Sequence, residues 1–362
     1  MRLAIDMTVC REPASGVQLA VQNAVQAELP FLRNHDCLVY ATADEPRDNC
    51  QRIELPSFLR YPLCRLAWQQ ALLSRELRRR HVEVLQAMAY TMPLRCSIPT
   101  MLVVHDLIAL EHPEFCSLGN RLQMQWLLAR SARHASLCLC PSDYVANKLR
   151  QLLDIPASRL AVAPWGVDYQ VFATSLPPPK LATLPPGQPY FLFVGNLEPK
   201  KNLTALLQAY STVADSTGAA LVLAGRYGWR CAALARSLRH WSGPGKVIWL
   251  GRVSQPQLIA LYQHALALVL PSWTEGFGLP VLEAMAAGTP VLHSDHPALR
   301  ETAGGAGRDF PPDAPDRLAD LMRQLAASST LREEMRVQGR ERAKLCPWGK
   351  WGQQAAQLVQ NL

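Results

Sequence analysis

Short apolar runs alternate with amphipathic stretches from one end of the chain to the other. The runs have the length of strands that are buried on both faces, and the longer stretches repeat their apolar positions at helical spacing. The pattern predicts strands at residues 3–5, 37–40, 101–104, 136–140 and 160–162, and helices at 17–29, 67–80, 121–133 and 142–153. This alternation is typical of parallel sheets covered by helices.

The alternation returns after a proline-rich segment, 172–189, which can continue neither a helix nor a central strand. It then predicts strands at 190–194, 220–224, 246–250, 267–270 and 289–293, and helices at 203–214, 255–264, 280–287 and 315–327. We therefore predict an α/β protein with two Rossmann-like, doubly wound domains, 1–175 and 190–345, joined by a linker at 176–189. Such domains bind ligands beyond the carboxyl ends of their strands, so we expect the site in a cleft between them.

Composition agrees with two globular domains, because 49% of the 362 residues are hydrophobic and 18% are charged. Ten scattered cysteines without a C-x-x-C pair indicate reduced thiols. Asp6 interrupts any signal sequence and no apolar run is long enough to span a bilayer, so we expect a cytoplasmic protein. The net charge of +8 favours an anionic partner, but a nucleic acid is disfavoured because no basic stripe is interleaved with aromatic residues.

The segment 271–290, PSWTEGFGLPVLEAMAAGTP, carries the most chemical information. A glycine-rich turn follows a predicted strand, Pro280 suits a first helical position, and Gly288 suits the end of the helix. The helix therefore points its amino end at the cleft. Free amides there can meet a phosphate or a sugar hydroxyl that comes close over Gly276 and Gly278.

Two carboxylates flank this turn. Glu275 lies in the turn, and Glu283 lies about one turn into the helix. A carboxylate without a partner is costly to bury among the apolar residues around Glu283, which favours a functional role there. Glu275 is equally compatible with an ordinary helix cap.

These glutamates, eight positions apart in EGFGLPVLEAM, resemble the E-x7-E signature of the retaining glycosyltransferases of GT-B fold, specifically family GT4. The segment FVGNLEPKKNL at 193–203 resembles the start of that family's donor domain. VHDL at 104–107 with HPE at 112–114 resembles a loop of its bacterial cell-surface polysaccharide branch. PSDY at 141–144 and APWGVD at 163–168 resemble two further acceptor-domain stretches, so the resemblance extends across nearly the whole chain.

The resemblance implies a role for each matching donor-domain residue. Glu283 would bond the ribose of the nucleotide, Glu275 would hold hydroxyls of the donor sugar, and Lys201 would contact the diphosphate. The turn that would receive the donor comprises Gly276, Phe277, Gly278 and Leu279. A lysine there would balance the charge that develops on the departing diphosphate, so no metal is expected.

On the acceptor side, the resemblance implies that Gly16 lets backbone approach the diphosphate and that His105 contacts the transferred sugar. A turn glycine and a structural histidine remain the alternatives. The resemblance also implies that a last helical segment, 346–362, crosses back onto the first domain. The sequence departs from the family at Asn196, where many members have arginine. Arg226 and Arg252 could replace that cation, although an exposed loop arginine explains each equally well.

The resemblance implies the function of an O-antigen or exopolysaccharide hexosyltransferase, an enzyme of lipopolysaccharide or exopolysaccharide biosynthesis. It would move mannose or a rhamnose-like sugar, with a GDP-sugar as the favoured donor, onto a growing and lipid-linked cell-surface glycan. No second carboxylate is placed for a double displacement, so front-face attack is preferred. The alternatives are a sugar-nucleotide epimerase of the same fold and a catalytically silent scaffold in a polysaccharide-synthesis complex.

A basic cluster suggests where the protein acts. Within 72–80 the arginines are Arg75, Arg78, Arg79 and Arg80. Leu73 and Leu77 share one face at helical spacing, so the segment is compatible with a short amphipathic helix on anionic lipid at the inner face of the cell membrane. It is equally compatible with a surface helix whose arginines are solvated.

Overall fold

The computed structural model describes residues 1–10, 16–42, 50–116, 118–179 and 184–362. They divide into two compact units, Met1–Gly166 together with Trp348–Leu362, and Val167–Pro347. The division therefore falls after Gly166, whereas the sequence pattern predicts that the first domain ends at residue 175. Residues directly after the division belong to the second unit because backbone groups of Phe172, Thr174 and Leu176 bond to the Gln263 side chain.

The first unit contains, within the described residues, a parallel sheet of seven strands. They are β1 (Arg2–Asp6), β2 (Asp36–Ala41), β3 (Gln51–Glu54), β4 (Val84–Ala87), β5 (Thr100–Val103), β6 (Leu137–Cys140) and β7 (Leu160–Val162), in the order β3-β2-β1-β4-β5-β6-β7. The order turns back between β1 and β4, which is where doubly wound sheets bind ligands. The apolar pattern missed β3 and β4, because both are short and contain polar residues.

The second unit contains, in the part of the chain described, a parallel sheet of six strands. They are β8 (Tyr190–Val194), β9 (Ala220–Ala224), β10 (Val247–Gly251), β11 (Ala267–Leu270), β12 (Val291–Ser294) and β13 (Arg308–Phe310), in the order β10-β9-β8-β11-β12-β13. Here the order turns back between β8 and β11. Two Rossmann-like sheets of this kind confirm the predicted α/β class.

Helices cover both sheets. In chain order they are α1 (Gly16–Glu28), α2 (Pro62–Trp68), α3 (Ser74–Arg79), α4 (Ile108–Glu111), α5 (Leu118–Gln123), α6 (Ala129–His134), α7 (Asp143–Leu153), α8 (Tyr169–Ala173), α9 (Leu203–Thr217), α10 (Ala232–Arg239), α11 (Gln255–Gln263), α12 (Leu279–Ala287), α13 (Pro297–Ala303), α14 (Pro315–Ala327), α15 (Ser329–Lys344) and α16 (Trp348–Gln360). Two π-helical segments, Gln69–Leu73 and Met124–Leu128, continue α2 into α3 and α5 into α6. Ser142 caps α7, because its side chain accepts a hydrogen bond from the Val145 amide.

Two of the three leucines in the basic segment face the protein core, and the third, Leu72, is 50% exposed. Leu73 and Leu77 are almost completely buried and pack beside Tyr40 and Leu85. Helical spacing cannot distinguish a lipid-facing stripe from a core-facing one, and here the core takes both leucines. Attachment of this segment to a membrane would therefore rest on its exposed arginines and on Leu72. No helix in the described ranges is both long and apolar enough to cross a membrane.

The last helix belongs to the first unit, where it packs on α1. A Cβ on Gly352 would lie 2.2 Å from the carbonyl oxygen of Ala27, so glycine is required for the two helices to approach this closely. Trp351 is fully buried and stacks on Trp165, with 5.1 Å between the ring centroids. The final helix thus completes the core of the unit in which the chain begins.

Candidate active site

Three glycines lie where β8, β9 and β10 end. The amide of Gly195 donates to the carbonyl of Ala224 at 2.9 Å, and the amide of Gly225 donates to that of Gly251 at 2.8 Å. A Cβ on Gly225 would lie 1.8 Å from the carbonyl oxygen of Gly195, so no larger residue fits there. The loop after β8, which carries Lys201, is thereby held against the neighbouring strand end.

Lys201 forms a buried ion pair with Glu275. Lys201 ends the 3-10 turn Pro199–Lys201, immediately before α9. Its Nζ lies 2.5 Å from Oε1 of Glu275, and the hydroxyl of Ser272 donates to the same oxygen at 2.7 Å. The two charged side chains are 12% and 9% exposed. Folding therefore joins two of the predicted site residues across the loops that follow β8 and β11.

The environment of Glu275 keeps this carboxyl ionised. Burial alone would raise its pKa, but the positive charges of Lys201 and Lys200 and the hydrogen bonds from Lys201 and Ser272 outweigh burial. The pKa of Glu275 consequently lies below its ordinary value. The site holds a carboxylate, which can accept hydrogen bonds, at neutral pH.

The turn between Glu275 and α12 brings the amino end of that helix to the same place. The amide of Trp273 donates to the carbonyl of Lys200 at 2.8 Å, which sets this turn beside the loop after β8. Gly278 has a φ of +97°, and a Cβ there would lie 2.4 Å from Leu299. Phe277 is buried, and its carbonyl accepts a hydrogen bond from Thr302 at 2.6 Å. The turn is therefore fixed by its own packing, with Leu279 as the first helical residue.

Glu283 lies half-buried on α12 and has one side-chain partner in the described residues, the phenol of Tyr262. The hydroxyl of Tyr262, which is fully buried on α11, donates to Oε2 of Glu283 at 2.9 Å. Burial raises the pKa of Glu283, and this hydrogen bond opposes the rise. The sequence pattern missed Tyr262, because a tyrosine in an apolar helical stretch is typical of an ordinary core residue.

Arg226 and Arg252, the two arginines that could replace the cation missing at Asn196, lie in different environments. Asn196 donates to Glu198 at 3.3 Å. Arg226 is half-buried, follows Gly225, and accepts a hydrogen bond at its carbonyl from the amide of Leu197 at 2.9 Å. Arg252 has an exposed side chain. The backbone thus ties Arg226 to the loop that leads to Lys201.

In the first unit, His105 lies just beyond β5 in a cage of aromatic rings. Its ring stacks on Trp165 at 5.4 Å and lies 5.1 Å from the ring of Tyr90. Its Nε2 lies 2.7 Å from the carbonyl oxygen of Met88. Because a carbonyl only accepts, Nε2 carries the proton and Nδ1 is left as an acceptor. Burial lowers the pKa of His105, so the ring is neutral near pH 7.

Asp106, the neighbour of His105, is engaged elsewhere. Its Oδ2 accepts from the hydroxyl of Tyr90 at 3.0 Å. Tyr90 itself has a φ of +59°, a backbone conformation that side chains other than glycine rarely adopt. The carbonyl of Met88 orients the imidazole.

A buried polar network at the end of β1 was not foreseen from the sequence. Asp6 accepts from the Thr8 hydroxyl at 2.6 Å and from the Gln69 amide at 2.7 Å, and Gln69 in turn accepts from Thr91 at 2.9 Å. Gln69 begins a π-helical segment, a departure from α-helix that is frequent at functional sites. Gly16 begins α1, and among the described residues nothing lies within 4 Å of a Cβ built on it; the rest of its predicted loop, 11–15, lies outside those residues.

In the described ranges, no three His, Cys, Asp or Glu side chains lie close enough together to hold a metal ion. The second unit offers the Lys201–Glu275 pair, the backbone at the start of α12, and a second carboxylate, Glu283, about one turn into that helix. This set can hold a diphosphate and hydroxyl groups.

Two doubly wound parallel sheets on one chain, with such a set at the strand ends of the second, define the GT-B class of fold. The chain matches sucrose-phosphate synthase from Thermosynechococcus elongatus with a TM-score of 0.76 at 19% identity, over 100% of this chain and 98% of that one. It matches HepE from Anabaena, solved in complex with UDP-glucose, with a TM-score of 0.74 at 17% identity, over 100% of both chains.

Two family descriptions match the sequence itself. Residues 180–342 match "Glycosyl transferases group 1", and residues 27–171 match "Glycosyltransferase Family 4". The chain belongs to family 4 of the group 1 glycosyltransferases. It is 32% identical over 250 residues to the O-antigen chain mannosyltransferase B of Escherichia coli, an alignment that covers 67% of this chain and 65% of the length of that relative.

Proposed function

We propose that the protein transfers a hexose from a nucleotide sugar to a hydroxyl of a growing cell-surface glycan, with retention of the anomeric configuration. The observation that supports this most directly is the buried pair of Lys201 and Glu275 beside the amino end of α12. A cation with backbone amides suits a diphosphate, and a carboxylate suits sugar hydroxyls. A nucleotide sugar presents these two kinds of group side by side.

In this proposal donor binding exchanges the partners of the ion pair. The diphosphate takes Lys201, and Glu275 accepts hydrogen bonds from hydroxyls of the donor sugar instead. The backbone of 276–279 approaches the diphosphate, and Glu283 accepts from the ribose. Arg226 is the preferred second cation because its backbone is tied to the same loop, and Arg252 with its exposed side chain is the second choice.

The chemical step proceeds on one face of the sugar. The bond between the anomeric carbon and the diphosphate oxygen breaks, and its electron pair stays with the diphosphate, where Lys201 balances the charge. The acceptor hydroxyl attacks the same face through an oxocarbenium-like transition state, and its proton passes to the departing phosphate oxygen. His105, neutral and with Nδ1 as acceptor, would contact a hydroxyl of the transferred sugar, while Gly16 would lie near the diphosphate.

GDP-mannose is the first choice of donor, because the E. coli relative is named a mannosyltransferase. HepE was solved with UDP-glucose, so UDP-sugars are the necessary comparison. We expect GDP-mannose to raise the unfolding temperature and to be slowly hydrolysed, since a ligand that binds the folded state stabilises it by mass action. A panel of GDP-, UDP- and dTDP-sugars measures both effects. If none of them protects or is cleaved, the proposed donor class is wrong.

Metal independence is a separate prediction. Lys201 and the amino end of α12 place positive charge where a divalent ion would otherwise be needed. We expect transfer to continue at an unchanged rate in excess EDTA. Activity that disappears with chelator and returns on addition of Mg²⁺ or Mn²⁺ would contradict this.

A lipid-linked acceptor and contact with anionic membrane stay predictions. Arg75, Arg78 and Arg79 are the exposed arginines available for the membrane contact.

A further inference from the structure

We propose that Tyr262 is a positioning residue for nucleotide binding, which holds the carboxylate of Glu283 in the orientation that accepts hydrogen bonds from ribose hydroxyls. This inference rests on the proposed function, in which Glu283 binds the ribose. Its geometric basis is the 2.9 Å hydrogen bond from the Tyr262 hydroxyl to Oε2 of Glu283.

The phenol is fixed by its surroundings. Tyr262 is fully buried, and its ring lies 6.2 Å from the ring of Phe172 on α8. Its backbone carbonyl accepts a hydrogen bond from Thr289, just after α12, at 2.6 Å. Contacts from α8 and from the segment after α12 therefore hold Tyr262 in place on α11, with its hydroxyl directed at Glu283.

The carboxylate needs such a partner. The terminal torsion of a glutamate is broad and is not fixed by staggering, so a lone carboxylate rotates freely. The neighbours of Glu283 on α12, Leu282 and Ala284, are apolar and offer no hydrogen bond from their side chains. One donor from Tyr262 fixes the plane of the carboxylate and leaves lone pairs on both oxygens for two hydroxyl groups.

The variants are chosen to separate this role from general stability. Tyr262→Phe keeps the ring and its contact with Phe172 but removes the hydroxyl. Tyr190→Phe is the matched control, because Tyr190 is also buried in the second unit and donates to the carbonyl of Leu261 on α11 at 2.8 Å. Glu283→Ala is used rather than glutamine, since a glutamine oxygen could still accept from Tyr262.

The measurement is the affinity for GDP and UDP by calorimetry, followed by the 2′-deoxy and 3′-deoxy analogues of whichever binds wild type more tightly. We expect Tyr262→Phe to weaken binding on the order of 10-fold, the effect of one lost hydrogen bond to a charged group. We expect it also to reduce the discrimination against the deoxy analogues and to raise the donor KM while kcat is retained. Tyr190→Phe should change the unfolding temperature but none of these quantities.

The double variant makes the test decisive. If Tyr262 acts through Glu283, then Tyr262→Phe has no further effect on affinity in a Glu283→Ala background. An equal loss in both backgrounds, or a Tyr262→Phe protein with wild-type discrimination, overturns the inference. A Glu283→Ala protein that still discriminates against the deoxy analogues removes the ribose role of Glu283 itself. Absence of binding by GDP and UDP, together with no protection or cleavage for any nucleotide sugar of the panel, removes the proposed function, and this inference with it.

Discussion

Replacing Lys201 by alanine is expected to lower turnover roughly 10²- to 10³-fold, the usual cost of one lost preorganised group that stabilises developing charge. Lys201 provides the buried ammonium in the loop after β8, and in the proposed reaction it meets the diphosphate as the glycosidic bond breaks. Steady-state transfer with the donor identified from the panel measures the effect. Lys344→Ala is the control, because Lys344 also pairs with a glutamate, Glu341, but is exposed on α15.

The loss could instead come from Glu275, which would be left buried without its cation. The double variant Lys201→Ala with Glu275→Gln removes both charges and so removes this imbalance. Glu275→Gln alone is the reference, because Glu275 itself would hold sugar hydroxyls. A double variant as active as Glu275→Gln alone would show that an unpaired Glu275 explains the loss in Lys201→Ala. A double variant that is roughly 10²- to 10³-fold less active than Glu275→Gln would show that the missing cation explains it. An unchanged rate in Lys201→Ala would refute the assignment of Lys201 to the diphosphate.

Replacing Glu28 by glutamine is expected to stabilise the protein at pH 8 and to change little at pH 5. Glu28 ends α1 and is completely buried, and Gln86 on β4 donates to its Oε2 at 2.8 Å. Within the described part of the chain, Oε1 of Glu28 and Oε1 of Gln86 have no hydrogen-bond partner. Burial raises the pKa of Glu28 from 4.5 to about 8, so the folded protein holds a proton there near neutral pH. That proton supplies a donor for the pair, and a glutamine amide would supply one at every pH.

The direction of the pH dependence follows from the raised pKa. Below about pH 4.5 the carboxyl is protonated in both states and costs nothing. As the pH rises towards 8, the unfolded chain loses its proton and the folded state does not, so stability falls by about 1.4 kcal/mol per pH unit. Glu28→Gln should remove this slope and gain about 4 kcal/mol at pH 8. Thermal unfolding at both pH values tests it, with Glu54→Gln, an exposed carboxyl on β3, as control. A slope that persists in Glu28→Gln would show that another group causes it.

Strands of the second unit were the easiest elements to predict. β8, β9 and β11 coincide with the predicted runs, because continuous apolar stretches between polar residues and glycines leave little choice of register. α15 was missed, since it is strongly polar and has no wide apolar stripe. It is held instead by arginines that bond to carbonyls at the ends of other helices, for example Arg336 to Gly288 and Arg342 to Thr302. No periodicity in the sequence encodes such contacts.

The candidate site also contains residues that the sequence could predict and residues that it could not. Glu275, Glu283 and Lys201 could be proposed from a local motif and its resemblance to a family. Their partners could not, because Ser272 and Tyr262 are ordinary residues for their elements and become informative once their hydrogen bonds are known. Spacing along the chain cannot show that Lys201 and Glu275 are paired before any ligand arrives.

The first unit is discontinuous in sequence, and this fixes the order in which the two units can complete their folding during synthesis. A ribosome releases Val167–Pro347 before it releases Trp348–Leu362, so the second unit is complete in sequence while the first still lacks α16. Until then, Trp165 and the side of α1 near Ala27 have no cover from Trp351 and Gly352. We therefore expect nascent chains to expose Trp165 and this side of α1, which the finished protein buries, and to bind chaperones or aggregate through this surface.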